Sequence, residues 1–188
     1  MRQPPEVLSA MEAEAILAQP NRSAITGLRN RCALEAMYRA GLRVSEVIQL
    51  RPRDVRWANS RLEVRDSKRG KGRNIPIRPA TLELLERWRD SRPESDWFFS
   101  TCCERGGIAT GAPIGSQLTA QYMQTVVARY ARQAGVERRV TPHTFRHTYA
   151  TSLLASGFTI REVQSLLGHS HVNTTMVYLH VNDDVVAA

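Results

Sequence analysis

His143 and Arg146 stand three residues apart directly after Thr141-Pro142. Thr141 suits a helix N-cap and Pro142 the first helical position, so the pair falls near the start of a predicted helix. Side chains three apart leave a helix on one face, and the dipole makes its N-terminus attractive to an anion such as phosphate. An isolated His-x-x-Arg is usually a solvated surface pair, so its meaning rests on what else the chain supplies. Breaking a phosphodiester without a metal needs a nucleophile, cations on the non-bridging oxygens and a proton donor for the departing oxygen. Tyr178, the arginines and histidines, and Lys68 or Lys71 are residue types that fill those roles. Acidic clusters of the kind that hold two metal ions are not evident in the sequence.

Three segments, in order, carry a resemblance. Gly41-Leu42-Arg43-Val44-Ser45-Glu46 comes first, then Thr141-Pro142-His143-Thr144-Phe145-Arg146-His147. The third is Leu166-Leu167-Gly168-His169-Ser170-His171, followed by Thr174-Thr175-Met176-Val177-Tyr178. Together they resemble the signature boxes of the tyrosine site-specific recombinases of the phage integrase type, over roughly residues 9–181, and coincidence of all three is a specific signal.

The resemblance implies roles residue by residue. Arg43 and Arg146 resemble the two arginines that grip the scissile phosphate in bidentate fashion, a geometry lysine cannot reproduce. His143 resembles the histidine that positions the phosphate and exchanges protons, and His169 the residue that donates a hydrogen bond to a non-bridging oxygen. Glu46 resembles the acidic residue that braces the site by orienting its cations. Tyr178 resembles the nucleophile; a free tyrosine has a pKa near ~10, so neighbouring cations must favour its phenolate in the transition state. Lys68 or Lys71 would protonate the departing 5′ oxygen. Counting back from Asn74-Ile75-Pro76-Ile77 favours Lys68, leaving Lys71 with Arg69 and Arg73 as DNA-backbone contacts.

The implied activity is cleavage and rejoining of DNA through a 3′-phosphotyrosine bond, with no metal, nucleotide or other cofactor. The implied partners are double-stranded DNA and further recombinase protomers, as a tetramer on DNA and a monomer in solution. Two other readings stand beside it: a DNA-binding regulator with the same fold but without chemistry, and a type IB topoisomerase-like enzyme, which shares the chemistry. A metalloenzyme suggested by His143 and His147 fits poorly. Thr144 stands where a His-Glu-x-x-His helix needs glutamate, and no Cys or carboxylate set completes a zinc site.

The elements that must position these residues can be read from periodicity. Ser9-Ala10-Met11-Glu12 is a capping box opening a helix that Pro20 ends. A helix is expected over 28–41 through Ala33, Leu34, Met37 and Tyr38, with Gly41 in the left-handed closing position. A short helix is expected over 44–50. From Arg61 the period becomes two, with Leu62 and Val64 alternating against charged residues, then a polar turn over 67–73, then Ile75 and Ile77. Helices are expected over 81–89, 117–134 and 142–157, with a short buried strand or extended segment at 97–99 and a Gly-rich loop at 106–115. Thr159-Ile160-Arg161-Glu162 is a second capping box, whose helix stops at Gly168. A last short helix near Asn173 would carry Tyr178. The expected fold is mainly α with a small antiparallel β-hairpin or sheet, that of the recombinase catalytic domain.

Composition agrees with this reading. Lysine and arginine number 26 against 18 acidic residues, a net charge of +8, and 42% of the residues are apolar. That balance favours a folded core and a polyanionic partner. The three cysteines, two of them adjacent, have poor spacing for a disulfide framework. No apolar run reaches the roughly 20 residues of a membrane span, and no signal-peptide pattern opens the chain, so a cytoplasmic, nucleoid-associated location is expected. A single catalytic domain is expected over 1–188, with an N-terminal arm at 1–8 and a tail at 181–188. The separate N-terminal DNA-clamping domain of the family would then be absent, making the chain either a catalytic fragment or a naturally short recombinase.

Overall fold

The computed structural model describes residues 7–65, 72–102 and 112–168. Its centre is helix α2 (Ile25–Arg39), which is buried nearly all round through Leu28, Cys32, Ala33, Leu34, Ala36 and Met37, as befits a helix inside a core. Helices α1 (Ala10–Ala18), α3 (Val44–Gln49), α4 (Pro79–Ser91) and α6 (Pro142–Ala155) all pack on it. Helix α5 (Ala120–Gln133) lies against α1, α3 and α6, and α7 (Ile160–Leu167) against α6. Three short strands, β1 (Val55–Arg56), β2 (Arg61–Val64) and β3 (Arg73–Pro76), form an antiparallel sheet in that order. The mainly α architecture with a small antiparallel sheet is the one expected.

The helix ends are set where the sequence places them. Ser9 accepts from the Glu12 N–H while the Glu12 carboxylate reaches back to the Ser9 N–H, and Thr159 and Glu162 do the same for α7. Thr141 caps α6 with Pro142 at its first position, and α7 closes on Gly168 at φ 64°. Helix α2 starts three residues before the expected 28. Helix α5 starts at Ala120 rather than 117, because the Thr119 side chain caps the Tyr122 N–H at 3.0 Å while Gln117 pairs with Ser100 in an isolated bridge. Segment 97–99 supplies two fully buried rings, Phe98 and Phe99, held by the Trp88 indole donating to the Phe98 carbonyl at 2.8 Å. Strand β1 goes beyond the expected hairpin; two residues carry no usable period.

Buried polar groups in α2 need partners. The Arg29 guanidinium donates to the Ser100 carbonyl at 3.0 Å, to Asn30 Oδ1 at 2.9 Å and to the Tyr122 hydroxyl, tying α2 to the segment before α5 and to α5 itself. Glu35 takes Arg31 at 2.6 Å and Arg39 at 2.7 Å, each one helical turn away. This cross-linked core is the rigid support on which the loop after α2, strand β3 and the ends of α6 and α7 meet.

Candidate active site

Gly41 follows α2 at φ 62°, a region that suits glycine. A Cβ there would lie 2.3 Å from Cδ1 of Tyr149 and 2.9 Å from Cδ2 of Leu167, so the turn must also be bare to let α6 and α7 approach. The chain then enters α3 with Arg43 as N-cap and Glu46 at the third position. One Glu46 oxygen, Oε2, accepts the Arg43 backbone N–H at 2.8 Å, while Oε1 accepts Arg43 Nη1 at 2.9 Å. The short spacing from Arg43 to Glu46 thus turns both side chains toward one point.

Two further arginines converge on that carboxylate. Arg73 makes a fork on it, Nη1 to Oε1 at 2.9 Å and Nη2 to Oε2 at 2.8 Å. Arg146, one turn into α6, places Nη1 3.8 Å from Oε2 and donates to the Gly41 carbonyl at 2.6 Å. Burial opposes charge on Glu46, but the Arg73 hydrogen bonds and charge, the Arg43 N–H and the Arg146 charge outweigh it and hold the carboxyl below its ordinary 4.5.

The same three arginines close the C-terminus of α7. Arg73 Nε donates to the Leu166 carbonyl at 2.7 Å, Arg146 Nη2 to the Leu167 carbonyl at 2.5 Å, and Arg43 Nη2 to the Gly168 carbonyl at 3.2 Å. The last carbonyls of a helix have no partner within it, and its negative dipole end favours cations. Three successive carbonyls each receive one guanidinium, which fixes the point from which the chain leaves toward 169. Three cations against one carboxylate leave a local charge of +2 (3 − 1), enough to hold a phosphodiester and the extra charge of its transition state. Arg43 is the accessible member, its side chain 35% exposed, against 4% for Arg146.

His143 is exposed at the second position of α6, one turn before Arg146, as its spacing predicts. Its ring lies 6.4 Å from that of His147, centroid to centroid. Burial first, then the charges of His143 and Arg146, hold the half-buried His147 below its ordinary 6.5. Among the described residues no three His, Cys, Asp or Glu side chains converge as a metal centre would need.

Of the predicted site residues, Arg43, Glu46, Arg146 and His143 are therefore placed on neighbouring turns of α3 and α6, with the first three in contact. Lys68, Arg69, Lys71, His169 and Tyr178 lie outside the described residues. Arg73 differs from expectation. Instead of belonging to the polar turn expected over 67–73 it begins β3, with its side chain only 13% exposed. The alternation contains this signal: residues 73, 75 and 77 share a strand face, and Ile75 and Ile77 are buried.

Comparison with known proteins comes to the same place. The profile of the Phage integrase family matches residues 6–184. Tyrosine recombinase XerD of Lacticaseibacillus casei is 37% identical over 185 residues, 98% of this chain and 61% of that protein. Tyrosine recombinase XerD of Ralstonia nicotianae is 36% identical over 190 residues, 96% of this chain and 58% of that protein. Among solved structures, XerA recombinase superposes with a TM-score of 0.82 at 28% identity, covering 100% of this chain and 64% of its own. XerH site-specific recombinase, bound to its palindromic difH substrate in a post-cleavage complex, gives 0.79 at 27% identity over 98% of this chain and 52% of its own. The chain thus spans about three fifths of the length of the curated relatives it matches.

Proposed function

This chain belongs to the phage integrase family, and on that premise we propose that it breaks and rejoins double-stranded DNA at specific sites through a covalent tyrosine–phosphate bond. The observation that carries the proposal is the gathering of Arg43 and Arg146, far apart in sequence, around Glu46 and the C-terminal carbonyls of α7. A phosphodiester is the substrate that such a cation cluster, beside the N-terminus of α6, is suited to receive.

In the proposed reaction Arg43 and Arg146 hold the non-bridging oxygens of the scissile phosphate, and His169 adds a hydrogen bond there. The Tyr178 hydroxyl attacks phosphorus and yields its proton to His143, while the bond to the 5′ oxygen breaks and Lys68 supplies that oxygen with a proton. The product is a 3′-phosphotyrosine and a free 5′ hydroxyl. Because the new ester keeps the energy of the old one, a 5′ hydroxyl of another strand reverses the sequence with the proton roles exchanged. Further copies of the chain, four on DNA, would supply the second strand. The net charge of +8 serves DNA association, which should weaken steeply with salt.

The test begins by selecting bound sites from a random-sequence duplex pool and building nicked suicide substrates from them. The wild-type chain should give a covalent protein–DNA adduct. Tyr178→Phe should give none while binding the same duplex. Tight binding by the wild-type chain with no adduct on any selected site would instead establish a DNA-binding regulator without chemistry.

A further inference from the structure

We infer that Arg73 is a positioning residue of this site rather than one of its DNA contacts, an inference that rests on the recombinase reading above. The segment 67–71 is basic in sequence, and Lys68, Arg69 and Lys71 are residue types suited to DNA-backbone contacts. Arg73, by contrast, turns its side chain inward. The register pairs it with Val64 and places it on the inward face of β3 with Ile75. There its guanidinium is committed on two edges: both Nη atoms to the two oxygens of Glu46, and Nε to the Leu166 carbonyl.

What those contacts do follows from what they join. Glu46 orients Arg43, both through the Arg43 N–H and through its Nη1. The Leu166 carbonyl belongs to the last turn of α7, whose next two carbonyls hold Arg146 and Arg43. Arg73 therefore fixes the two supports against which both phosphate-gripping arginines rest. It also links them to β3, the strand that follows the segment carrying Lys68. The packing around it leaves no slack: a Cβ on Gly168 would lie 2.9 Å from Arg73 Nη1 and 3.2 Å from its Cδ. The positive φ of Gly168 favours glycine, and any side chain there would press on this guanidinium.

A planar fork with a third donor at Nε is required for this pattern. A lysine ammonium could reach one carboxylate oxygen or the carbonyl, but could not hold all three in one plane. Loss of such a supporting partner typically lowers activity about 10- to 100-fold while leaving the directly contacting groups in place. Since Arg73 does not face the DNA in this reading, it should contribute nothing to the number of counterions released on binding.

The experiment compares wild type, Arg73→Lys and Arg73→Ala on the selected suicide substrate, with protein in excess so that each trace gives one turnover. Three quantities are read: the rate constant of adduct formation, its amplitude, and DNA affinity as a function of salt. The expected result is a rate constant lowered about 10- to 100-fold in Arg73→Ala at undiminished amplitude, with Arg73→Lys in between. Affinity should stay within about twofold, with an unchanged slope against salt. A misfolded fraction would lower amplitude rather than the rate constant, and thermal melts identify it directly. Should Arg73→Ala fail to fold, the lysine variant carries the comparison.

Three outcomes overturn the inference. Rate constants within twofold of wild type in both variants remove the positioning role. A salt slope reduced by about 0.9, with weaker binding and a normal rate at saturation, makes Arg73 a direct phosphate contact. No adduct from the wild-type chain itself overturns the recombinase reading and, with it, the reaction that Arg73 would serve.

Discussion

Replacing Glu46 with glutamine tests whether one carboxylate holds the cation cluster together. Glu46 Oε1 accepts from Arg43 Nη1 and Arg73 Nη1, and Oε2 from the Arg43 N–H and Arg73 Nη2. Whichever way a glutamine amide is turned, its NH2 faces two of these donors, so at least two charge-assisted hydrogen bonds are lost at about 1.5–3 kcal/mol each. With the side chain only 13% exposed, solvent screens little of this. Removing one partner from a buried ion cluster costs a comparable amount, about 3–5 kcal/mol. We take about 3 kcal/mol, a fall in thermal midpoint of ~6–12 °C for a chain of this size. The pH dependence has a definite sign. The folded carboxyl lies below its ordinary 4.5, so the contribution is complete above 4.5 and disappears as pH falls through the lower, folded value. Urea denaturation of wild type and Glu46→Gln at pH 7, 5 and 3.5 should therefore give a constant difference at the first two and a smaller one at the third. Equal midpoints at pH 7 would refute the claim that Glu46 organises the arginines. A difference unchanged down to pH 3.5 would show that the residue acts through packing instead of charge.

Two other perturbations address the site's frame. Gly41→Ala places a Cβ 2.3 Å from the Tyr149 ring at φ 62° and disturbs the carbonyl that Arg146 uses; combining left-handed strain with overpacking, it should destabilise by about 2–5 kcal/mol in urea denaturation. His147, whose folded pKa lies below 6.5, stabilises the neutral-pH fold and loses that contribution as pH falls from 6.5 through the depressed value. In His147→Gln the corresponding decline of stability below pH 6.5 should flatten, as read from thermal midpoints between pH 7.5 and 5.

Features fixed within a few residues are legible in the sequence. The capping boxes at Ser9 and Thr159, the Thr141-Pro142 start of α6 and the stop at Gly168 are satisfied by neighbours three or four positions away. Arg73 is half legible: the period-two pattern that buries Ile75 and Ile77 also turns residue 73 inward, but its place beside a polar turn masks the signal. The start of α5 falls three residues later than periodicity suggests because Gln117 fits a helix by type and is taken instead by pairing with Ser100, a partner 17 positions away. The burial of Arg29 has no local sign, since its partners Ser100 and Tyr122 lie 71 and 93 positions away; Glu35 has its arginine partners at helical spacing, four residues to either side, and only its burial, with Thr81 of α4 against it, is set by packing.

The sequence by itself determined the helical character, the basic charge and the residue types able to hold a phosphate, because propensity, capping and charge are properties of short stretches. Only the tertiary structure decided that Arg43, Arg73 and Arg146 each take one of three consecutive carbonyls at the end of α7 while sharing Glu46. These contacts bridge 125, 93 and 21 positions of chain. Their cause is the need of a helix terminus and a buried carboxylate for donors, and which donors arrive is set by how the core packs.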